Sequence, residues 1–225
     1  MQSDIHVFFA NVEMLSDDSL EYFLDALPAD QKAKALELKS KKKKRDFIIG
    51  RMLLIHALLK KYSFRTIPSI LEQPDKAPFV RSFKDIYLSI SHSNYIVCCV
   101  LHECPIGIDI EYKKSRQNLA EKSSFFMSHE ELEELTMIIE ETRQKEYFYQ
   151  VWCTKEAVFK ALDFSEQKST TLMSIHLSDF FSGGGWSLFQ KEIDNYHLSL
   201  VYGGGERQVQ LIPVDLGRGF ITGKG

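Results

Sequence analysis

Asp109 and Glu111 stand two residues apart in the run Ile106-Gly107-Ile108-Asp109-Ile110-Glu111. Side chains of a β-strand alternate between faces, so Ile106, Ile108 and Ile110 line one face and the carboxylates share the other. Two carboxylates at that spacing offer hard oxygen ligands suited to Mg²⁺. The same pattern also fits the solvated face of an edge strand. A second group lies between Tyr147 and Leu162. Placed at about 100° per residue, Tyr147, Phe148, Val151, Trp152, Phe159 and Leu162 span one apolar arc. Lys155 falls in the middle of that arc, Glu156 at its edge and Lys160 just beyond. An ammonium on a buried face is costly unless something anionic meets it. Either Lys155 snorkels out or pairs with Glu111, or Lys155, Glu156 and Lys160 point into a cleft that holds phosphate and metal. A third group, Ser89-Ile90-Ser91-His92-Ser93-Asn94, offers hydroxyls, an imidazole and turn amides to a phosphate. A hydrolytic Ser-His pair needs neighbours in space rather than in sequence, so Ser91-His92 is not read as one.

The elements that must carry these groups are legible in outline. Ile5 to Phe9 reads as a strand. Ser16 caps a helix through Leu20, Phe23, Leu24 and Leu27 that Pro28 stops. A helical run from Asp30 to about Leu38 leads into Lys41-Lys42-Lys43-Lys44-Arg45, and a long amphipathic helix follows to Tyr62. Pro68, Pro74 and Pro78 mark a connector. Strands are expected at 86–91, 96–101 and 106–111. Beyond them come a capping box of Ser128 and Glu131, a helix from Gln144 to Leu162, and short strands at 175–177, 186–189, 197–202 and 208–213. The glycine triplets 183–185 and 203–205 read as turns or loops, since neither precedes a helix that could bind phosphate. Both halves run helix first and strands after. This predicts an α+β protein of two similar lobes, 1–105 and 106–225, although no internal sequence repeat is evident.

Composition narrows the function classes. Of 225 residues, 44% are hydrophobic and 26% charged, which excludes collagenous, disordered and disulfide-scaffold chains. Net charge is -3, so phosphate chemistry must come from a local basic patch, and bulk nucleic-acid binding is not expected. No stretch approaches the roughly 18 apolar residues of a membrane span. The N-terminus lacks a basic segment and a small-residue cleavage site, so a cytoplasmic protein is expected. Cys98, Cys99, Cys104 and Cys153 show no metal spacing and read as free thiols.

The three groups, in this order, resemble the 4′-phosphopantetheinyl transferases of the larger, surfactin-synthetase-activating type. The family's Ser-His strand end, Gly-Ile-Asp-Ile-Glu strand and Trp-x-x-Lys-Glu-Ala-x-x-Lys-Ala helix are met by Ser91-His92, Gly107 to Glu111, and Trp152 to Ala161. The helix start Arg45-x-Phe47-x-x-Gly50-Arg51 matches as well, and the likeness runs over about 5–202. Asp75-Lys76-Ala77-Pro78 departs from the family's Gly-Lys-Pro.

The resemblance implies transfer of phosphopantetheine from coenzyme A to a serine of an apo carrier protein, acyl or peptidyl, with release of 3′,5′-ADP. It implies a pseudo-dimeric fold with the active site in the cleft between lobes, each lobe matching one subunit of the smaller trimeric synthases, and hence a monomer. By carry-over, Asp109, Glu111 and Glu156 hold Mg²⁺. Glu156 is the general base, with a low pKa expected beside metal and lysine. Lys155 and Lys160 neutralise the diphosphate. Lys34, Arg45, Lys76, Ser91 and His92 hold the 3′-phosphate and adenosine end. The lysines from Lys41 to Lys44 form either a solvated face or a patch that steers an acidic carrier. The alternative is a catalytically silent homologue that binds coenzyme A or carrier protein without transfer.

Overall fold

In a computed structural model of the protein, placement is described for residues 3–62, 70–71, 79–80, 86–114 and 119–217. The chain divides into two compact units, Cys104–Glu206 and the residues on either side of it.

The first unit opens with β1 (Ile5–Asn11), followed by α1 (Asp17–Ala26), α2 (Ala29–Glu37) and α3 (Lys41–Tyr62). Ser16 caps α1 as expected, its Oγ accepting the Ser19 N–H at 3.1 Å. The basic run does not precede the long helix; it forms the first turn of α3, where Ser40 Oγ accepts the Lys43 N–H. The short strands β2 (Ile70–Leu71) and β3 (Phe79–Val80) pair with each other. The rest of the proline connector, Lys76 included, lies outside the described residues. β4 (Tyr87–Ser93) and β5 (Ile96–His102) form a hairpin around Asn94, whose φ of 50° suits asparagine. Ile48, Ile49, Met52 and Leu53 of α3 pack with Phe8, Ala10, Val97 and Cys99 of the sheet.

The second unit begins with β6 (Ile106–Tyr112), followed by α4 (Leu119–Ser123), α5 (His129–Met137) and α6 (Glu141–Ala161). The capping box of Ser128 and Glu131 starts α5 as the sequence predicts. After α6 come α7 (Phe164–Ser169), a 3-10 turn at Leu172–Ser174 and α8 (Leu177–Ser182). The strand expected at 175–177 is absent. Leu177 starts α8, and Ile175 is a buried residue of the approach to it. Three alternating residues are too few to separate a strand from a helix entry. β7 (Trp186–Ile193) and β8 (Tyr196–Gly203) form a second hairpin, with Asp194 at φ 50°. Finally β9 (Val209–Pro213) pairs parallel with β1 and completes the first unit's sheet, β4-β5-β1-β9.

The protein is α+β, and its two units repeat one plan. The second sheet, β6-β8-β7, has the order and antiparallel sense of β1-β5-β4. α2 and α5 begin 100 residues apart, as do α3 and α6. The turn residues Asn94 and Asp194 keep the same offset.

Candidate active site

The repeat singles out one face of the second sheet. In the first unit Phe8 lies opposite Cys99 and Ala10 opposite Val97, all four buried and apolar. At the matching positions of the second unit, Asp109 lies opposite Ser199 and Glu111 opposite His197. The same plan is thus filled with core residues once and with polar residues once. Folding alone does not call for the second set, because burying polar groups costs free energy that apolar side chains here would not incur.

α6 reaches this face by an unusually close approach to β6. A Cβ on Gly107 would stand 2.0 Å from the Ala157 carbonyl oxygen and 2.6 Å from the Ala161 nitrogen, so only glycine fits. The contact sets Lys160 over Asp109, with Nζ 2.7 Å from Oδ1 and 3.3 Å from the Ile108 carbonyl oxygen. Asp109 is 5% exposed. Burial raises the Glu156 carboxyl pKa; Lys160 pulls it down, and Asp109 and Glu111 push it up again. Glu156 thus sits in the field of both strand carboxylates and of Lys160. Its pKa departs from the low value that the sequence suggested because desolvation outweighs the lysine. Burial, with Asp109 and Glu111 beside it, also holds the Cys153 thiol protonated, so it is no nucleophile. Behind the carboxylates, Ser199 contacts Thr154 at 3.2 Å and His197 at 3.2 Å, and His197 Nδ1 meets Glu192.

Among the described residues, no three metal-ligating side chains already form a cage. The donor chemistry nonetheless suits a hard divalent cation, with carboxylate oxygens as ligands and Asp109 and Glu111 raising the proton affinity of Glu156.

Lys155 is placed elsewhere. It is fully buried, as its position in the apolar arc implies, but its charge is met from α5: Nζ lies 2.7 Å from Glu131 Oε2 and donates to the Phe126 carbonyl at 2.8 Å. Neither Glu111 nor solvent is its partner. Glu131 also accepts the Ser128 N–H at 2.8 Å, and Phe126 packs edge-on against Trp152. Lys155 therefore pins the turn into α5, and the partner of its ammonium is Glu131 rather than the Glu111 that the sequence offered.

In the first unit the structure joins Arg45 and His92 through a residue that the sequence reading passed over. Asp46, 3% exposed, accepts from Lys42 and Arg45 and lies 3.3 Å from His92 Nδ1. Ser91 is buried and His92 is exposed, on opposite faces of β4. Lys34 is half-buried on α2. The overlooked residues had signals. Asp46 is the lone acid next to a basic turn, four residues from Lys42. His197 and Ser199 alternate as polar residues in an otherwise apolar strand.

Comparison with known proteins bears on the same residues. The model of the 4′-phosphopantetheinyl transferase superfamily matches residues 105–212, which include Asp109, Glu111, Glu156 and Lys160. A 4′-phosphopantetheinyl transferase of Bacillus subtilis is 27% identical over 166 residues, 73% of each chain. The 4′-phosphopantetheinyl transferase Sfp of Bacillus subtilis strain 168 is 26% identical over 147 residues, 65% of this chain and 64% of the relative. The 4′-phosphopantetheinyl transferase psf-1 of Bacillus pumilus is 32% identical over 114 residues, 50% of this chain and 48% of the relative. The polar face lies within the segment that matches this superfamily, and the chain is similar to 4′-phosphopantetheinyl transferases of the larger, surfactin-synthetase-activating type.

Proposed function

We propose that the protein transfers the 4′-phosphopantetheine group of coenzyme A to a serine hydroxyl of an apo carrier protein, acyl or peptidyl, and releases 3′,5′-ADP. The observation that carries this reading is the substitution of Asp109, Glu111, His197 and Ser199 for the apolar residues of the first unit, with Lys160 held on Asp109.

The serine oxygen attacks the phosphorus that bears the pantetheine arm. The bond from that phosphorus to the bridging oxygen breaks, and its electron pair leaves with 3′,5′-ADP. Glu156 takes the serine proton. Its raised pKa makes it a stronger base than a solvated carboxylate, and a positioned base contributes about 10²–10⁴-fold. Lys160 binds diphosphate oxygen, and Asp109 fixes the ammonium so that little reorganisation is needed in the transition state. Asp109, Glu111 and Glu156 would hold Mg²⁺, which supplies charge neutralisation on the diphosphate when bound. Arg45 and His92 bind the 3′-phosphate, and Lys34, Lys76 and Ser91 are assigned to the adenosine end on the family pattern alone. The protein acts as a monomer in the cytoplasm, a reading in keeping with its four free cysteines. No helix among the described residues is long and apolar enough to cross a membrane.

Mass spectrometry of an apo carrier protein incubated with enzyme, coenzyme A and Mg²⁺ tests the reading. A gain of one phosphopantetheine, lost on chelation, is expected. No gain on any of a panel of acyl and peptidyl carriers would leave the silent-homologue alternative standing.

A further inference from the structure

The first turn of α3 is built against its own helix. Lys41 to Lys44 and Arg45 sit where the macrodipole is positive, and no acid occupies that turn. Such a turn is not selected for helix stability, and one buried carboxylate organises it. Asp46 Oδ2 accepts from Lys42 Nζ at 2.8 Å and lies 3.3 Å from His92 Nδ1. Asp46 Oδ1 accepts from Arg45 Nε at 3.0 Å and from Arg45 Nη2 at 2.8 Å. Arg45 Nη2 also donates to the Asn94 carbonyl at 2.7 Å, tying helix to hairpin turn.

Three features separate this arrangement from an ordinary surface ion pair. The carboxylate is buried, whereas the Lys42 and His92 side chains are 54% and 47% exposed, so the acid faces inward and the cations outward. The groups come from two elements, α3 and the end of β4. Their charges do not cancel: Lys42 and Arg45 already exceed the single carboxylate, and His92 adds to the excess when protonated. Lys42 spends one of its ammonium protons on Asp46, leaving donors for a second anion. Without Asp46, Lys42, Arg45 and His92 would repel one another and scatter.

We infer that Asp46 is a positioning residue that gathers Lys42, Arg45 and His92 into one cationic cluster, and so sets the protein's preference for coenzyme A that carries its 3′-phosphate. This rests on the proposed use of Arg45 and His92 for that phosphate. Asp46 itself touches no ligand; it supplies the geometry in which a phosphate monoester dianion meets several charge-assisted donors at once.

Calorimetric titration with coenzyme A and with 3′-dephospho-coenzyme A, for the wild type and Asp46→Asn, decides the matter without requiring turnover. The asparagine keeps the volume but turns an amide N–H group towards donors that need an acceptor. The expected result is a roughly tenfold weaker Kd for coenzyme A and an unchanged Kd for 3′-dephospho-coenzyme A. A merely structural role would weaken both alike. If the wild type binds both ligands equally, the phosphate subsite is misassigned and the inference falls with it. If the wild type discriminates and Asp46→Asn discriminates as well, Asp46 alone is misread. Tighter coenzyme A binding by Asp46→Asn would make Asp46 a competitor of the phosphate and overturn the inference. Should Asp46→Asn fail to fold, Lys42→Met, at an exposed position, reads the same cluster. A selective loss for coenzyme A is expected, and its absence overturns the proposal.

Discussion

Glu156 combines two demands that a single substitution separates. As the proposed base it must accept a proton, and as a half-buried carboxylate near Asp109 and Glu111 it is costly to ionise. Its folded pKa lies above the ordinary value, so between the unfolded and folded pKa the native state holds a proton that the unfolded chain has lost. Stability from this group is full at low pH and falls as pH rises through that window. Glu156→Gln should remove this fall, leave the melting temperature of the metal-free protein equal or higher, and cut turnover about a hundredfold. Melting curves across pH 4 to 8 and a transfer assay check both; near-normal turnover would reduce Glu156 to a dispensable ligand. Lys155 makes the contrasting case. Lys155→Met leaves Glu131 facing apolar residues beside Phe126 and Trp152, so stability should fall by about 3 kcal/mol in urea denaturation. Replacing Glu131 by Gln in the same chain should recover much of the loss. Helical spacing alone foretold that Lys155 is buried, since an arc fixes which side of α6 faces inward. It could not foretell the partner, because Glu131 is set on another helix by a turn geometry that no period encodes.

At the scale of elements, the pairing of α6 with β6 is what brings Lys160 to Asp109. Gly107→Ala would drive a Cβ into the backbone of Ala157 and Ala161, atoms that cannot rotate away. The helix must shift outward, at a cost of about 3 kcal/mol, and Lys160 must leave Asp109. Denaturation should report the loss of stability, and transfer should fall further than the unfolded fraction explains. Activity proportional to the folded fraction would show that the close approach serves packing alone. The strand itself was legible from the alternation of Ile106, Ile108 and Ile110, although both of its faces are buried. The helix start was not: Glu141 to Gln144 lack the apolar spacing that marks α6 further on. The residues from 175 to 177 misled for the opposite reason, an alternation too short to mean anything.

At the scale of the whole molecule, the two units share a plan and a 100-residue spacing but little sequence, and the reason is visible in the substituted face. Repeated shape needs only the alternation of inward and outward positions, and polar residues at 109, 111, 197 and 199 erase the likeness where it would be strongest. The second unit interrupts the first, which completes its sheet only when β9 returns to β1. Ile5 N–H donates to the Gln208 carbonyl at 2.9 Å and Val214 N–H to the Phe9 carbonyl at 2.8 Å, while Ile212, Val214 and Leu216 pack on the first core. A chain ending at Glu206 would leave β1 an exposed edge and strip those side chains from the core. Partial burial of three aliphatic residues is worth about 3 kcal/mol. The loss should fall on the first unit, because Cys104–Glu206 keeps every strand of its own sheet and the Asp109–Lys160 contact. Hydrogen exchange resolved by residue distinguishes the outcomes. The β1 and β5 amides should lose protection in the shortened chain while those of β6 and β8 keep theirs. Equal loss in both sets would mean that the units unfold together, and unchanged protection of β1 would mean that β9 is a passive cover rather than the strand that closes the sheet.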